Sequence, residues 1–541
     1  MEFLGARYVV GPTLDLDGPG AVAHVRATTA EITALADRLA ALGPFSQRVY
    51  PSHVALGVRS APEVVETTAE AVERLILDAS ASPYQARRDI EAGRVTNWTR
   101  LREVAIARSL PFLIDDEGLS IGLGANSATF GTRATPRSLG GLSRIPVAMV
   151  TGTNGKTTTT RFLAAMATAK GFTVGHTSSD GIFVGAGCVE RGDWSGPGAA
   201  RRVLRHGRVQ FAILETARGG ILRRGVQVDF ADVAVVTNVS ADHLGEWGVD
   251  TVDGMAEVKL LIADGLRQGG TLVLNADQWR WPEIVSRFSA RRPDVRVRWF
   301  SAHRPADACV KGGEFVVDGY PVATVVDVPL TFGGRAMHNV ENALAASLAG
   351  ASMGLPPEVI GEGLRALTPD PEHSAGRGNL FVVQVPGGEA TVFVDFAHNV
   401  EGMRHLAALA LAWEARRRLL VVGQAGDRPF ELQDAFTHAA LGMRPDKVYL
   451  KEMVKYLRGR ALGEVTDRMA AIFKAGGVES TSWPDELAAT DAALSELRAG
   501  DFLLVLAHVD AVSVVARVRG RMGGASPGAA HTKGRQDPGM T

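Results

Sequence analysis

The sequence predicts a multidomain α/β protein: a central, doubly wound parallel sheet, a C-terminal α/β domain and an N-terminal α+β domain. Three observations lead to this prediction. With 541 residues, the chain is long for a single hydrophobic core. Short apolar runs alternate with helix-compatible stretches over most of its length, which is typical of sheets covered by helices on both faces. The first strong apolar run leads into a glycine loop that opens a helix.

Residues 1–144 are predicted to form the N-terminal α+β domain. Helical periodicity extends from Thr29 to Ala41 and from Pro62 to Ser80. The segment from Leu110 to Gly124 favours two short strands around an acidic turn. A loop from Gly131 to Arg144, rich in Thr, Arg, Gly and Ser, marks the expected boundary.

Residues 145–370 are predicted to form the central domain, and residues 371–522 the second α/β domain. The central domain opens with a strand at Ile145–Val150, the glycine loop and a helix at Thr157–Lys170. The later predicted strands, each bounded by polar or turn residues, are Phe211–Leu214, Val233–Val236, Thr271–Leu274, Thr391–Val394, Leu419–Val422, Lys447–Leu450 and Phe502–Leu506. Residues 523–541 are rich in Gly, Pro and Ser, which predicts a disordered tail.

Composition and charge narrow the classes of partner and compartment. The 58 Lys and Arg balance 59 Asp and Glu, so the charge gives no general attraction to nucleic acid or anionic membrane. Only two cysteines are present, which fits a reducing compartment. No leader pattern and no apolar run of about 18 residues is found. We therefore expect a cytoplasmic protein without nucleic-acid or membrane partners.

The sharpest motif is the glycine loop, T-G-T-N-G-K-T-T at residues 151–158. A strand, a glycine turn and a helix start place backbone N–H groups around an anion, with the positive end of the helix dipole behind them. Lys156 would reach the outer phosphates and the Thr157 hydroxyl would ligate Mg²⁺. The predicted ATP-binding residues of the loop are Gly152, Thr153, Asn154, Gly155, Lys156, Thr157 and Thr158. Val150 stands where the strict pattern has glycine, so a turn without a ligand is the alternative.

This loop resembles the ATP loop of the Mur ligase family. Two further segments, LETARGGILR at 214–223 and VTNVSADHLG at 236–245, resemble in particular the C-terminal ligase half of cyanophycin synthetase, and the resemblance extends from about Ile145 to Val515. It implies an ADP-forming ligase that joins a carboxylate to an amino acid or other amine through an acyl phosphate. The alternatives are a glutamyl ligase of the folylpolyglutamate type and a nucleotide-binding regulator without turnover.

The resemblance also implies a metal centre. Glu215 and His243 would bind Mg²⁺ together with Thr157, and Lys259 stands where many relatives have a carbamylated lysine. A capping or surface glutamate is the alternative for Glu215, a structural histidine for His243, and an exposed helix lysine for Lys259.

Other residues are placed by the resemblance around the nucleotide and the substrates. Asn339 and Asn342 would lie at the adenine, with helix capping by Asn339 as the alternative. Arg377 would reach the phosphates and Asp395 the ribose or phosphate-bound water. The candidate substrate-binding residues are Arg218, His398, Asn399, Asp427 and Arg428, with helix caps and a simple turn as the alternatives.

The chain also departs from full cyanophycin synthetases. The segment at 110–124 resembles the one that leads into their ATP-grasp domain, yet only a short stretch separates it from Ile145. The resemblance therefore implies one ligation rather than alternating addition of two amino acids. The N-terminal region is expected to help bind a substrate; the substrates' identities and the oligomeric state, a homo-oligomer included, stay open.

Overall fold

The computed structural model describes residues 1–134, 139–226, 228–242, 244–278, 281–372 and 374–522. The chain divides into two compact units, Met1–Thr368 and Pro369–Thr541. His243 and the predicted tail at 523–541 lie outside the described residues. Among the described helices, none combines the length and the apolar character needed to cross a bilayer.

The N-terminal part of the first unit contains two small antiparallel sheets, ordered β1-β2-β4-β3 and β5-β6-β7. Its elements are β1 (Glu2–Val9), β2 (Gly20–Arg26), α1 (Thr29–Ala40), β3 (Phe45–Val49), β4 (Val54–Arg59), α2 (Val65–Leu77), α3 (Pro83–Ala92), α4 (Thr96–Ala107), β5 (Phe112–Asp115), β6 (Gly118–Ile121) and β7 (Ala128–Phe130). Thr28 begins α1 with a capping box, which satisfies backbone donors that a helix start leaves unpaired. The two predicted helices and the strand pair are confirmed.

The rest of the first unit is built on one large sheet. Its elements are β8 (Val147–Thr151), α5 (Lys156–Ala169), β9 (Val174–Ser178), β10 (Gly181–Val184), β11 (Gly187–Arg191), α6 (Pro197–Arg205), β12 (Phe211–Glu215), α7 (Arg218–Arg224), β13 (Ala231–Val236), α8 (Val252–Leu260), β14 (Leu266–Asn275), α9 (Trp281–Arg291), β15 (Arg296–Ser301), β16 (Ala308–Lys311), β17 (Glu314–Val317), β18 (Tyr320–Thr324), α10 (Met337–Ser352) and α11 (Pro357–Ala366). The strand order is β11-β10-β9-β12-β8-β13-β14-β15-β16-β17-β18.

The large sheet is parallel in its interior and antiparallel at both edges. The interior strands pair in parallel, in the order β9-β12-β8-β13-β14-β15-β16. At one edge β10 and β11, and at the other β17 and β18, are added as antiparallel hairpin strands. The sheet is therefore mixed rather than wholly parallel, because connections as short as these can only reverse the chain. In β8, Val147 and Met149 belong to one apolar core, and Ala148 and Val150 to the core on the opposite face. Both faces are covered, as the apolar strand runs predict.

The second unit is a smaller α/β sheet, ordered β19-β20-β24-β21-β22-β23. Its elements are β19 (Asn379–Val385), β20 (Gly388–Asp395), α12 (Val400–Leu411), β21 (Arg418–Val422), α13 (Phe430–Leu441), β22 (Lys447–Lys451), α14 (Glu464–Ala475), β23 (Glu479–Trp483), α15 (Glu486–Ser495), β24 (Phe502–Leu506) and α16 (Ala511–Arg519). All its strand pairs are parallel except the β19–β20 hairpin.

Candidate active site

The glycine loop lies at the carboxyl end of β8, in the middle of the large sheet, where doubly wound folds bind ligands. Gly155 immediately precedes α5 with a φ of 80°, a left-handed conformation that favours glycine. A Cβ atom there would lie 2.0 Å from Oδ1 of Asn342, and one on Gly152 would lie 1.8 Å from Oγ1 of Thr237. Both glycines are therefore required by close packing as well as by the turn.

The segment after β13 holds the loop in shape. The backbone N–H of Thr153 donates to the carbonyl of Asn238 at 3.0 Å, and that of Asn154 to Oδ1 of Asn238 at 2.8 Å. The carbonyl of Asn154 accepts from the Thr237 hydroxyl at 2.6 Å and from the Asn238 amide at 3.1 Å. Thr237 and Asn238 thus support the loop, a role that no sequence pattern indicates.

These contacts change which loop groups can face an anion. The N–H groups of Thr153 and Asn154 are engaged within the protein, so they do not contribute to a phosphate cradle in this arrangement. The first turn of α5 has no side-chain cap, and its N–H groups have no acceptor within the helix. Lys156 bends back, with Nζ 3.0 Å from the carbonyl oxygen of Gly152 and 3.1 Å from that of Thr153. Positive charge and helix donors therefore converge at this end of α5.

Thr157 and Glu215 form the centre of the candidate metal site. The Thr157 hydroxyl donates to Oε2 of Glu215 at 2.8 Å and lies 3.3 Å from the hydroxyl of Ser179. Glu215 is the last residue of β12, which pairs directly with β8, and only 2% of it is exposed. The surface alternative for Glu215 is therefore wrong. Carboxylate and hydroxyl oxygens are hard ligands of the kind that Mg²⁺ prefers; His243 lies outside the described residues.

Lys259 lies near the end of α8 and is 3% exposed, so the exposed-lysine alternative is wrong. Burial, and then the nearby charge of Lys156, lower the pKa of Lys259 well below its usual value, while Asp242 opposes that shift. Arg218 adds a further positive charge near Lys259 and forms an ion pair with Glu246. Because Ala217 occupies the N-cap position of α7, the helix-cap alternative for Arg218 is wrong.

The two predicted adenine-contacting asparagines lie in the first turns of α10, and both are buried. The Asn342 amide donates to Oδ1 of Asn339 at 3.2 Å, and the Asn339 amide donates to the carbonyl of Leu330 at 2.8 Å. The helix has Ala336 at its N-cap position, so the capping alternative for Asn339 is wrong. Through its contact with Gly155, Asn342 is brought to the phosphate loop itself.

The remaining predicted site residues lie in the second unit. Asp395 ends β20 and accepts from the N–H groups of Gly378 and Ala397, both at 2.9 Å. Burial raises the pKa of Asp395, and the charge of Arg377 acts in the opposite direction. The guanidinium of Arg377 lies over the ring of Phe396, 5.1 Å from its centroid. Arg377 and Asp395 are therefore neighbours on one side of this unit.

A second group in this unit comprises His398, Asn399, Asp427 and Arg428. The Asn399 side chain accepts from the N–H of Gly402 at 2.9 Å and caps α12, so its capping alternative is confirmed. Arg428 donates to the carbonyl of His398, which joins this loop to the one after β20. Asp427 forms an ion pair with Arg458 instead.

Two segments of the chain, one in each unit, match known protein families. Residues 150–350 match the Mur ligase middle domain, and residues 378–509 match the Mur ligase glutamate ligase domain. Cyanophycin synthetase of Synechocystis is 40% identical over 336 residues, which are 60% of this chain but only 38% of that protein. The chain thus spans about four-tenths of the length of this curated relative.

Two solved structures share the fold at lower identity. One is Escherichia coli FolC in complex with DHPP and ADP, 20% identical, with a TM-score of 0.51 over 69% of this chain and 88% of that one. The other is a bifunctional folylpolyglutamate synthase/dihydrofolate synthase with Mn, AMPPNP and L-glutamate bound, 20% identical, with a TM-score of 0.50 over 69% and 89%.

Proposed function

Since the chain belongs to the Mur ligase family, through its middle and C-terminal domains, we propose that it is an ATP-dependent amide ligase. It would join a small-molecule carboxylate to an amino acid or another amine and form ADP. The observation that carries this proposal is the contact between Thr157 and Glu215 beside the glycine loop. A buried carboxylate next to a helix start that favours anions is best explained by a cation shared between them.

The residues present fit MgATP. Lys156 and the first turn of α5 would hold the phosphates, and Thr157 with Glu215 would hold Mg²⁺, with His243 as a further proposed ligand. Bound there, Mg²⁺ would offset the charge of the phosphates. Asn339 and Asn342 stay proposed adenine-binding residues, and Asn342 also contacts the loop at Gly155. Arg377 and Asp395 stay proposed nucleotide-binding residues, and His398, Asn399, Asp427, Arg428 and Arg218 proposed substrate-binding residues.

The proposed reaction has two steps. An oxygen of the substrate carboxylate attacks the γ-phosphorus, the bond to the β,γ-bridging oxygen breaks, and ADP leaves. The nitrogen of the amine then attacks the carbonyl carbon of the acyl phosphate, inorganic phosphate leaves, and the amine loses a proton. Lys156 would compensate the negative charge that accumulates in the first step.

Lys259 has the properties that carbamylation requires. Its burial and the charge of Lys156 favour the neutral amine, which is the form that reacts with CO₂. The product would be a carbamate, which is negatively charged. Lys156 and Arg218, which repel a protonated Lys259, would attract this negative charge. Mass spectrometry of the intact protein under bicarbonate should show an added mass of about 44 Da that the Lys259→Met variant lacks.

The experiment that tests the ligase proposal is a phosphate-release screen over amino acids, dipeptides and small acids, with the product mass measured. We expect release that requires both a carboxylate and an amine, and that falls at least about a hundredfold in Lys156→Ala and Glu215→Gln. Lys170→Ala, an exposed lysine just after α5, is the matched control and should keep full activity. Glutamate as the sole accepted amine would favour the folylpolyglutamate type; ATP binding without any turnover would contradict the ligase and favour the regulator.

A further inference from the structure

A tight β-turn spans Glu246–Val249, and its first residue forms the ion pair with Arg218. The N–H of its last residue donates to the carbonyl of its first at 3.2 Å. The two central residues, Trp247 and Gly248, have φ values of 58° and 71°. Positive φ at both central positions is typical of a type I′ turn, where Gly, Asn and Asp dominate. A tryptophan in this conformation is strained, so the surrounding structure must hold it there.

Two side chains of the N-terminal part hold the central residues of the turn. The guanidinium of Arg7, in β1, lies over the indole ring of Trp247, 5.0 Å from its centroid, a favourable contact of a cation with an aromatic face. The ring of Tyr50, which follows β3, lies against Gly248. A Cβ atom on Gly248 would lie 2.5 Å from Cδ1 of Tyr50, so only glycine allows the two to pack this closely. The turn is thus fixed from the side of the N-terminal sheets.

One buried carboxylate orients both of these side chains. Asp15, in the loop between β1 and β2, is 8% exposed. Its two oxygens accept separately, from the Tyr50 hydroxyl at 2.6 Å and from Nη2 of Arg7 at 3.2 Å. Burial, and then the charge of Asp15, raise the pKa of Tyr50, so the hydroxyl stays protonated and keeps donating. Asp15 itself is anchored through its backbone: its N–H donates to the Thr13 hydroxyl at 3.1 Å, and its carbonyl accepts from the Ser46 hydroxyl at 2.7 Å.

The N-terminal part also fixes α7, the short helix that begins with Arg218. The N–H of Val10 donates to the carbonyl of Arg224, the last residue of α7, at 2.8 Å. The guanidinium of Arg224 also lies 3.9 Å from the ring centroid of Tyr8. The C-terminal end of α7 is therefore fixed by β1 and the residue after it, whereas the Arg218 side chain at the other end is held by Glu246 of the turn. A displaced turn would release Arg218 without releasing the helix.

We propose that Asp15 is a positioning residue for the ligase site and acts through the turn on Arg218. Asp15 orients Arg7 and Tyr50, these two hold the turn at 246–249, and the glutamate of the turn fixes the guanidinium. A guanidinium held in one orientation is suited to binding a carboxylate by paired hydrogen bonds. This role rests on the proposed function, in which Arg218 binds a substrate, and it assigns Arg218 to the carboxylate substrate.

The strain at Trp247 indicates what happens when these contacts are lost. When Arg7 and Tyr50 are no longer oriented, the turn can relax away from positive φ, and Glu246 moves with it. Arg218 then samples several orientations, and the substrate must order it on binding. Ordering of this kind weakens substrate binding without changing the nucleotide site.

Steady-state kinetics of Asp15→Asn, with the substrate pair found by the phosphate-release screen, test this role. Asparagine keeps the shape of the side chain but loses the charge that holds Arg7. We expect the KM of the carboxylate substrate to rise about tenfold and the KM of ATP to stay unchanged. A merely less stable protein would lower kcat through its active fraction and leave both KM values as they are. Asp17→Asn, an exposed aspartate in the same loop, is the matched control and should keep both KM values.

A double-variant cycle tests whether Asp15 acts through Arg218. Arg218→Met should raise the KM of the carboxylate substrate at least as much as Asp15→Asn does, and the double variant should show no further increase. Independent, additive increases would overturn the proposal, as would an unchanged KM in Asp15→Asn.

Fluorine NMR of the fluorotryptophan-labelled protein follows the turn without reference to activity. The chain has eight tryptophans, and the Trp247→Phe variant assigns the signal of Trp247. We expect Asp15→Asn to shift or broaden this signal and to leave the others in place. A Trp247 signal that stays unchanged in Asp15→Asn would show that the carboxylate does not hold the turn, and the proposal would be wrong.

A second variant keeps the test available if Asp15→Asn does not fold. Tyr50→Phe removes only the hydroxyl and should give the same selective change of the Trp247 signal, whereas Tyr84→Phe, at an exposed tyrosine, should give none. If the wild type releases no phosphate with any substrate pair, the proposed function fails, and the fluorine spectrum still decides whether Asp15 holds the turn.

Discussion

At the residue scale, Gly155 is the point where the phosphate loop contacts α10. Replacing it with alanine would place a methyl group 2.0 Å from Oδ1 of Asn342, so the loop or the Asn342 side chain must shift. Gly171, at the other end of α5, also has a positive φ but open space around it. Gly171→Ala should therefore cost only about 1 kcal/mol of stability, from the backbone alone.

We expect Gly155→Ala to destabilise the protein by clearly more than Gly171→Ala and to weaken ATP binding at least tenfold. Thermal unfolding and equilibrium nucleotide titration measure the two effects. If Gly155→Ala binds ATP as tightly as Gly171→Ala does, the contact with Asn342 does not shape the nucleotide site.

A second residue-scale prediction concerns His176 of β9, whose ring stacks on that of Phe183 at 4.8 Å between centroids. Burial, with a smaller contribution from Arg161, lowers the pKa of His176 from 6.5 to about 4. Between these values the unfolded chain binds more protons than the folded one, so stability must fall as the pH drops from about 6.5 to about 4. His176→Phe should lose less stability than the wild type over this window in denaturant titrations.

The exposed His438 of α13 offers the matched control. His438→Gln should keep the wild-type slope of stability against pH between about 4 and 6.5. An unchanged slope in His176→Phe would show that other groups cause the acid sensitivity.

At the element scale, one buried ion pair joins three parts of the second unit. Lys451, the last residue of β22, donates to Glu486 at the start of α15 and to the carbonyl of Leu506 at the end of β24. Glu486 also accepts from the backbone N–H groups of His508 and Asp510, at 2.6 and 2.8 Å. Both charged side chains are almost wholly buried, so each depends on the other for neutralisation.

Removing one partner should leave the other charge buried and alone. We expect Lys451→Met to destabilise the second unit by about 3–5 kcal/mol. Lys447 lies on the same strand and pairs with Glu496 near the surface, at 2.9 Å, so Lys447→Met should cost at most about 1 kcal/mol. Equal losses of stability in the two variants by chemical denaturation would mean that burial does not set the strength of the pair.

At the scale of the whole molecule, each unit has its own apolar cores. We therefore expect calorimetry to resolve two unfolding transitions. ATP analogues with MgCl₂ should raise the midpoint of the first unit's transition, and Lys451→Met should lower only the second's. A single transition that both changes move together would contradict separate cooperative units.

The interior strands of the sheets could be predicted because each contains a continuous run of apolar residues. The strands β12, β13 and β24, for example, lie where those runs indicate. The edge hairpins were not predicted. In β11, for example, most residues are exposed, so no apolar run marks the strand. Sheet order depends on contacts between distant segments, which local patterns do not record.

The candidate site, like the fold, could be predicted from the sequence only in part. The local sequence pattern identified the loop, and the family resemblance identified Glu215 and Lys259. Neither the pattern nor the resemblance could show that these two side chains are buried. The contacts of Asn342 with Gly155 and of Asn238 with Asn154 join segments far apart in the chain. These contacts depend on the fold, which brings α10 and the segment after β13 to the loop.

The hydrogen bonds that join Asn154 to Thr237 and Asn238 have a thermodynamic consequence. They restrict the backbone of the loop as part of folding, so its conformational entropy is lost before a nucleotide arrives and not during the encounter. Preorganisation of this kind makes association less unfavourable in entropy. The loop is thus a rigid receptor, and specificity for a particular nucleotide must come from groups outside it.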